Sequence, residues 1–168
     1  MSISLYDASV PVMQRGLRYA AKFLKTGQDH LDASKAPHSV LLEARLIEDM
    51  LPLVGQVQRF CDTAKNTAVR VAGVPNVVMP DNEKTFEDVQ ARIAATLKFL
   101  EEVSPDVFAG REEAEVIFPA PGGNRTYTGA RYVLEFALPN FFFHVTTAYD
   151  LLRARRVPVG KRHYLGWE

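Results

Sequence analysis

The chain has 168 residues, 47% of them hydrophobic, and its twenty basic residues balance twenty acidic ones. That length suits a single domain, residues 1–168, burying roughly 70% of the surface of its unfolded chain. Zero net charge gives no electrostatic reason to bind nucleic acid or an anionic membrane, so neither is expected as a partner. The lone cysteine, Cys61, excludes an intramolecular disulfide and a multi-cysteine zinc centre, which suits a reducing, cytoplasmic setting. No uncharged apolar stretch reaches the ~18 residues of a membrane span, and no basic region precedes an apolar run at the start, so neither export nor insertion is expected.

Leu5, Ala8, Val12, Tyr19 and Phe23 recur at helical spacing and predict a first helix over residues 5–31, with either a kink at Pro11 or a true beginning close to Ser9. Ser39 can cap a short helix through Leu42, Leu46 and on to Met50, until Pro52 interrupts. Leu53, Val57, Phe60, Ala64, Ala68 and Val71 then line one face of a second long helix that ends at Gly73. Residues 74–83, with two prolines and two asparagines, read as a loop across one end of the fold. Thr85 with Glu87 and Asp88 forms an N-terminal cap for a third helix carrying Phe86, Val89, Ile93, Leu97, Leu100 and Val103.

Two β-prone segments follow, 115–118 and 125–128, joined by a Pro-Gly-Gly connection that predicts a hairpin lying against the helices. Residues 131–156 are the fourth long helix, kinked or begun at Pro139; no charge stands between Glu135 and Asp150, so burial on nearly all sides is expected. Residues 157–168 are too irregular for another long helix. The pattern predicts an all-α fold, a four-helix bundle with a small β-hairpin inserted before the last helix. Excess apolar surface on that helix also suits a homodimer contact.

Within the last helix Asn140, His144 and Thr147 are spaced i, i+4, i+7 and share one stripe, a polar site in an apolar wall. Imidazole there suits a metal ligand or a general acid or base, and equally a buried histidine satisfied by its neighbours; the second reading is the commoner one. Gln56, Gln58, Cys61 and Asp62 on the second helix are the groups placed to approach it, with Cys61 reading as a small hydrophobe. Arg153, Arg155, Arg156, Lys161 and Arg162 cluster at and beyond the end of the last helix, where cations complement its dipole. Gly160-Lys161-Arg162 lacks the other residues of a P-loop.

Several stretches together resemble an uncharacterised bacterial family: Met1-Ser-Ile-Ser-Leu-Tyr-Asp-Ala-Ser-Val-Pro-Val12, Ala44-Arg-Leu46, Asp49-Met50, Gln56-Val-Gln58 and Cys61-Asp62-Thr-Ala-Lys65. Lys84-Thr-Phe86, Ala137-Leu-Pro-Asn-Phe-Phe-Phe-His-Val-Thr-Thr-Ala-Tyr149 and Val157-Pro-Val-Gly-Lys161 extend it over nearly the whole chain. This domain of unknown function looks like a branch of the DinB/YfiT-like superfamily. Such a resemblance implies a four-helix bundle and, in better-known members, a divalent metal held by one histidine from the second helix and an HxxxH pair from the last; some members are thiol-dependent transferases. Here the corresponding pair is Asn140 and His144, and no histidine lies between Leu53 and Val71. At most one ligand carries over. The expectation is a cytoplasmic, homodimeric module that binds a small molecule or a protein partner, with a degenerate metal site and no cofactor. The alternative is a transferase using His144 with zinc or nickel, or with a thiol cofactor.

Overall fold

The computed structural model describes residues 3–167; Met1, Ser2 and Glu168, at the start of the family resemblance and the end of the tail, lie outside the described residues. Four long helices form the frame: α1 (Val10–Ser34), α3 (Leu53–Ala72), α4 (Phe86–Glu101) and α6 (Leu138–Ala154). Both α1 and α3 pack against both α4 and α6, closing a four-membered ring around one core. Phe23, Phe60, Phe86 and Phe141 are fully enclosed there, and burying each aromatic ring contributes about 2 to 3 kcal/mol. The Phe60 and Phe141 rings meet edge to face, with centroids 6.1 Å apart.

α1 begins at Val10, so Pro11 sits in a first turn whose amides have no helical partner anyway. It runs past Gly27 to Ser34, beyond the expected end. Gly27 is a close-approach position rather than a stop: a Cβ there would stand 3.0 Å from a Leu152 methyl group. The short helix α2 (Ser39–Leu42) is corrected in two ways. His38, not Ser39, is its N-cap, with no side-chain cap bond, and the helix ends at Leu42 instead of reaching Met50. Residues 43–52 form an irregular loop in which Arg45 donates to the Met50 carbonyl and Leu46 and Ile47 face solvent. α4 begins on the expected cap: the Asp88 amide donates to Thr85 Oγ1 at 3.1 Å and the Thr85 amide to Asp88 Oδ2 at 2.9 Å.

A 3-10 turn (Pro105–Phe108) leads to strands β1 (Glu115–Ala120) and β2 (Gly123–Thr128), an antiparallel hairpin pairing Phe118 with Arg125. Its exit is tight. The Gly129 amide donates to the Ala114 carbonyl, and a Cβ at this position would fall 2.1 Å from the Arg111 carbonyl oxygen. A single turn α5 (Gly129–Arg131) then passes into a π-helical segment, Tyr132–Ala137, that runs straight into α6. The α-helical winding of the last helix thus begins at Leu138, beside Pro139 as expected, but the chain enters it already helical, through the π segment. Nor is it enclosed on nearly all sides: Leu134 and Phe143 are 59% and 55% exposed. A five-residue helix α7 (Lys161–Leu165) returns the tail to α1, and among the described residues no helix is long and apolar enough to cross a membrane.

Candidate functional site

α3 and α6 run antiparallel, and their facing polar side chains pair level by level. Near the start of α3, Gln56 donates from Nε2 to the Leu51 carbonyl at 3.0 Å, which turns its Oε1 toward α6. There His144 Nδ1 lies 2.7 Å away. Only an acceptor is offered, so Nδ1 carries the imidazole proton and Nε2 holds a free lone pair. Half-burial, and next the nearby Arg59 guanidinium, depress the His144 pKa to about 4, so the ring is neutral at pH 7. One level along, Asn140 Nδ2 donates to Thr63 Oγ1 at 2.8 Å, while that hydroxyl donates to the Arg59 carbonyl at 2.7 Å. Asn140 Oδ1 is left without a protein partner among the described residues.

At the far end of α3, Arg70 donates to the Tyr132 hydroxyl at 2.9 Å, and its guanidinium carbon lies 5.1 Å from the centre of the Phe118 ring. Phe118 in turn rests on Phe136, with centroids 4.2 Å apart. These contacts dock the hairpin beside the two helices and leave an open trough of about 450 Å³ between them. Arg59, Asp62, Asn66 and Arg70 lie along its α3 wall, Phe136, Asn140 and His144 along its α6 wall, and Phe118, Ala120, Pro121 and Arg125 close the hairpin side. The π segment matters for this alignment. In an α-helix four residues overshoot a full turn by about 40°, so four side chains at that spacing would spiral away. One wider turn removes part of the drift and keeps Tyr132 and Phe136 in line with Asn140 and His144.

Of the residues picked from sequence, His144 and Gln56 are joined by a hydrogen bond, while Asn140 stands on the same trough wall but bonds to Thr63 instead. Thr147 does not join them: it is buried and its hydroxyl donates to the Phe143 carbonyl one turn back, at 2.7 Å. Gln58 turns to Glu83, donating to Oε2 at 2.7 Å. Asp62 borders the trough but is held by Arg92 at 2.9 Å, in a buried knot that also ties Asp81 and Glu83 to the same guanidinium. Cys61 is fully buried, and desolvation pushes its thiol up to about 12, which leaves no thiolate for ligation or attack at neutral pH. At the C-terminal basic cluster, Arg153 donates to the Val159 carbonyl at 2.8 Å and so binds the tail to the end of α6.

Sequence reasoning missed Thr63, Asn66, Arg59, Arg70 and the hairpin residues. The first four were findable, since Arg59, Thr63, Asn66 and Arg70 repeat at helical spacing down one stripe of α3. Nothing in the sequence shows that Phe118 and Arg125 would cover that stripe. Among the described residues, no three His, Cys, Asp or Glu side chains converge as a metal centre needs.

No curated protein matches the chain. Among solved structures it is similar to a DinB family member protein from Shewanella denitrificans, at 36% identity and a TM-score of 0.88, over 96% of this chain and 92% of that one. Residues 5–165 match the domain of unknown function DUF1993. With nearly its whole length matched and a solved DinB family member similar to it over 96% of its residues, the chain belongs to the DUF1993 family, a domain of unknown function in the DinB-like superfamily.

Proposed function

We propose that this protein is a small-molecule-binding module whose ligand lies in the trough between α3, α6 and the hairpin and hydrogen-bonds to His144 and Asn140. One observation carries the reading: the chain from the Leu51 carbonyl through Gln56 to His144 fixes a neutral ring with its Nε2 lone pair uncommitted, beside the uncommitted Asn140 Oδ1. Two acceptors without protein partners in a half-closed trough ask for a ligand that donates, such as an alcohol or an amide.

The metal that the superfamily resemblance implies does not suit these residues. Gln56 is the group from the second long helix that meets His144, and its amide, like that of Asn140, is a poor ligand for zinc or nickel beside imidazole. The nearest carboxylate in the trough, Asp62, is neutralised by Arg92. We therefore read the site as metal-free. A transferase using His144 as a base is the weaker alternative, because a pKa near 4 is far below the value at which a base works well at pH 7. The same reading takes the protein as a cytoplasmic homodimer. The exposed Phe143 and Leu134 supply apolar contact surface, and the reduced, buried Cys61 suits that compartment.

The test is a titration of small alcohols, amides and phenols into isotopically labelled protein. Saturable amide shifts at Thr63, Asn140 and His144, lost in His144→Ala, are expected. Hits that leave these residues unmoved, or that bind His144→Ala equally well, would overturn the reading; tightly held stoichiometric zinc or nickel that disappears in His144→Ala would overturn its metal-free part.

A further inference from the structure

Resting on the trough-binding reading above, we infer that the ligand is an organic anion, whose carboxylate or phosphate is held by Arg70 and Arg125 while its hydrogen-bond donor reaches His144 and Asn140 at the other end.

The trough concentrates positive charge in a chain whose net charge is zero. Arg59, Arg70 and Arg125 face one carboxylate, Asp62, and His144 adds no charge at pH 7. The three arginines differ in what they have left to give. Arg59 is committed to Asp81 at 2.7 Å. Among the described residues no carboxylate pairs with Arg70 or Arg125, whereas Arg131, a few residues on, is paired with Glu135. Arg70 is preorganised as a binding arginine: stacked on Phe118, steered by one bond to the Tyr132 hydroxyl, and left with most of its donors free. The register of the hairpin brings Arg125 opposite Phe118, on the strand facing that stack.

Helix geometry sets the length of the ligand. Along α3 the level of Thr63 and Asn140 lies seven residues from that of Arg70, about 10 Å at 1.5 Å per residue, and the level of Gln56 and His144 fourteen, about 21 Å. The wall between them is apolar on the hairpin side, through Phe118, Ala120 and Pro121. A molecule matching all three features has an oxyanion at one end, an apolar middle, and a hydroxyl, amide or similar donor at the other.

The probes are inorganic phosphate and succinate, titrated separately into isotopically labelled full-length protein at constant ionic strength, because screening would otherwise mimic weakened binding. Both are expected to shift the Arg70 side chain and the amides of residues 118–125 saturably; the tighter of the two identifies a phosphate or a carboxylate as the natural group. Arg125→Ala, an exposed strand position, is expected to weaken binding about tenfold through loss of a charged partner. Arg70→Lys, which keeps the charge but not the planar fork, is expected to weaken it about fivefold. Arg18→Ala, paired with Glu101 away from the trough, is expected to leave it unchanged. Non-saturating shifts spread over the surface, or equal constants in wild type and Arg125→Ala, would overturn the inference. If the neutral fragments still bind at His144 in that event, the anion end falls and the trough reading stands; loss of fragment binding with phosphate retained at Arg70 has the converse meaning.

Discussion

Replacing Gln56 by glutamate tests the electrostatics of the site directly. The substitution keeps the shape of the side chain and leaves an acceptor 2.7 Å from His144 Nδ1, but gives that acceptor a full negative charge. Two unit charges about 4 Å apart interact by about 4 kcal/mol at an effective dielectric constant of about 20. Since His144 is half open to the trough, screening reduces this to about 3 kcal/mol, or roughly two pH units. The His144 pKa, held to about 4 in the wild type, is therefore expected to rise to around 6 to 7 in Gln56→Glu. Following the ring Cε1 proton of His144 by NMR from pH 3 to 9 reads the value in both proteins. A wild-type ring titrating near its ordinary value, or a variant that still titrates below 5, would refute the assignment of burial and Arg59 as the forces that keep this imidazole neutral.

Four further outcomes are expected. Because the unfolded chain takes up the His144 proton near pH 6.5 and the folded one only near 4, the stability tied to the neutral ring is complete above 6.5 and is lost as pH falls toward 4; urea unfolding at pH 7 and pH 4.5 is expected to show wild type losing about 1 to 2 kcal/mol more than His144→Gln. Gly129→Ala forces a Cβ onto the Arg111 carbonyl oxygen and is expected to cost about 2 to 4 kcal/mol in urea titration, whereas an unchanged midpoint would mean that the hairpin exit yields freely. Arg92→Ala strands the half-buried Asp62 and the more deeply buried Glu83 without their cation, at about 3 to 5 kcal/mol; adding Glu83→Gln is expected to recover part of that loss, and strict additivity of the two would argue against a shared knot. Thr85→Ala removes the α4 cap at about 1 kcal/mol, checked by thermal unfolding.

The parts of this fold that could be read from sequence are those in which neighbours along the chain decide the outcome. The apolar stripe from Phe86 to Leu100 and its Thr85 and Asp88 cap are local, and they form as read. Residues 43–52 fail for the opposite reason: Leu46 and Met50 continue a helical period, but the chain there bonds back through Arg45 and leaves Leu46 and Ile47 in water. The close approach at Gly27 is equally non-local, since what it accommodates is Leu152 on another helix. The same division runs through the site. His144, Asn140 and Gln56 do face one another's helices as their spacing suggests, whereas Thr147, read onto the same stripe, turns its hydroxyl back to its own helix. The setting of Arg70 depended on Phe118 landing on it from a hairpin about fifty residues downstream, a tertiary event that no local pattern encodes.

The passage from Tyr132 to Ala137 is wound with more residues per turn than the rod it feeds. Dropping a single residue from it would restore ordinary winding and swing everything on its upstream side by about 100° while drawing it in by about 1.5 Å. Of the helical frame only α6 lies downstream; α1, α3 and α4 lie upstream but are held by their own packing, so such an edit falls first on the hairpin and on the buried Tyr132 and Val133 that join it to the core. The mouth of the trough thus turns on a short ratchet between hairpin and α6, and single-residue insertions or deletions at this one place re-aim the β-ribbon at the cost of repacking Tyr132 and Val133 beneath it.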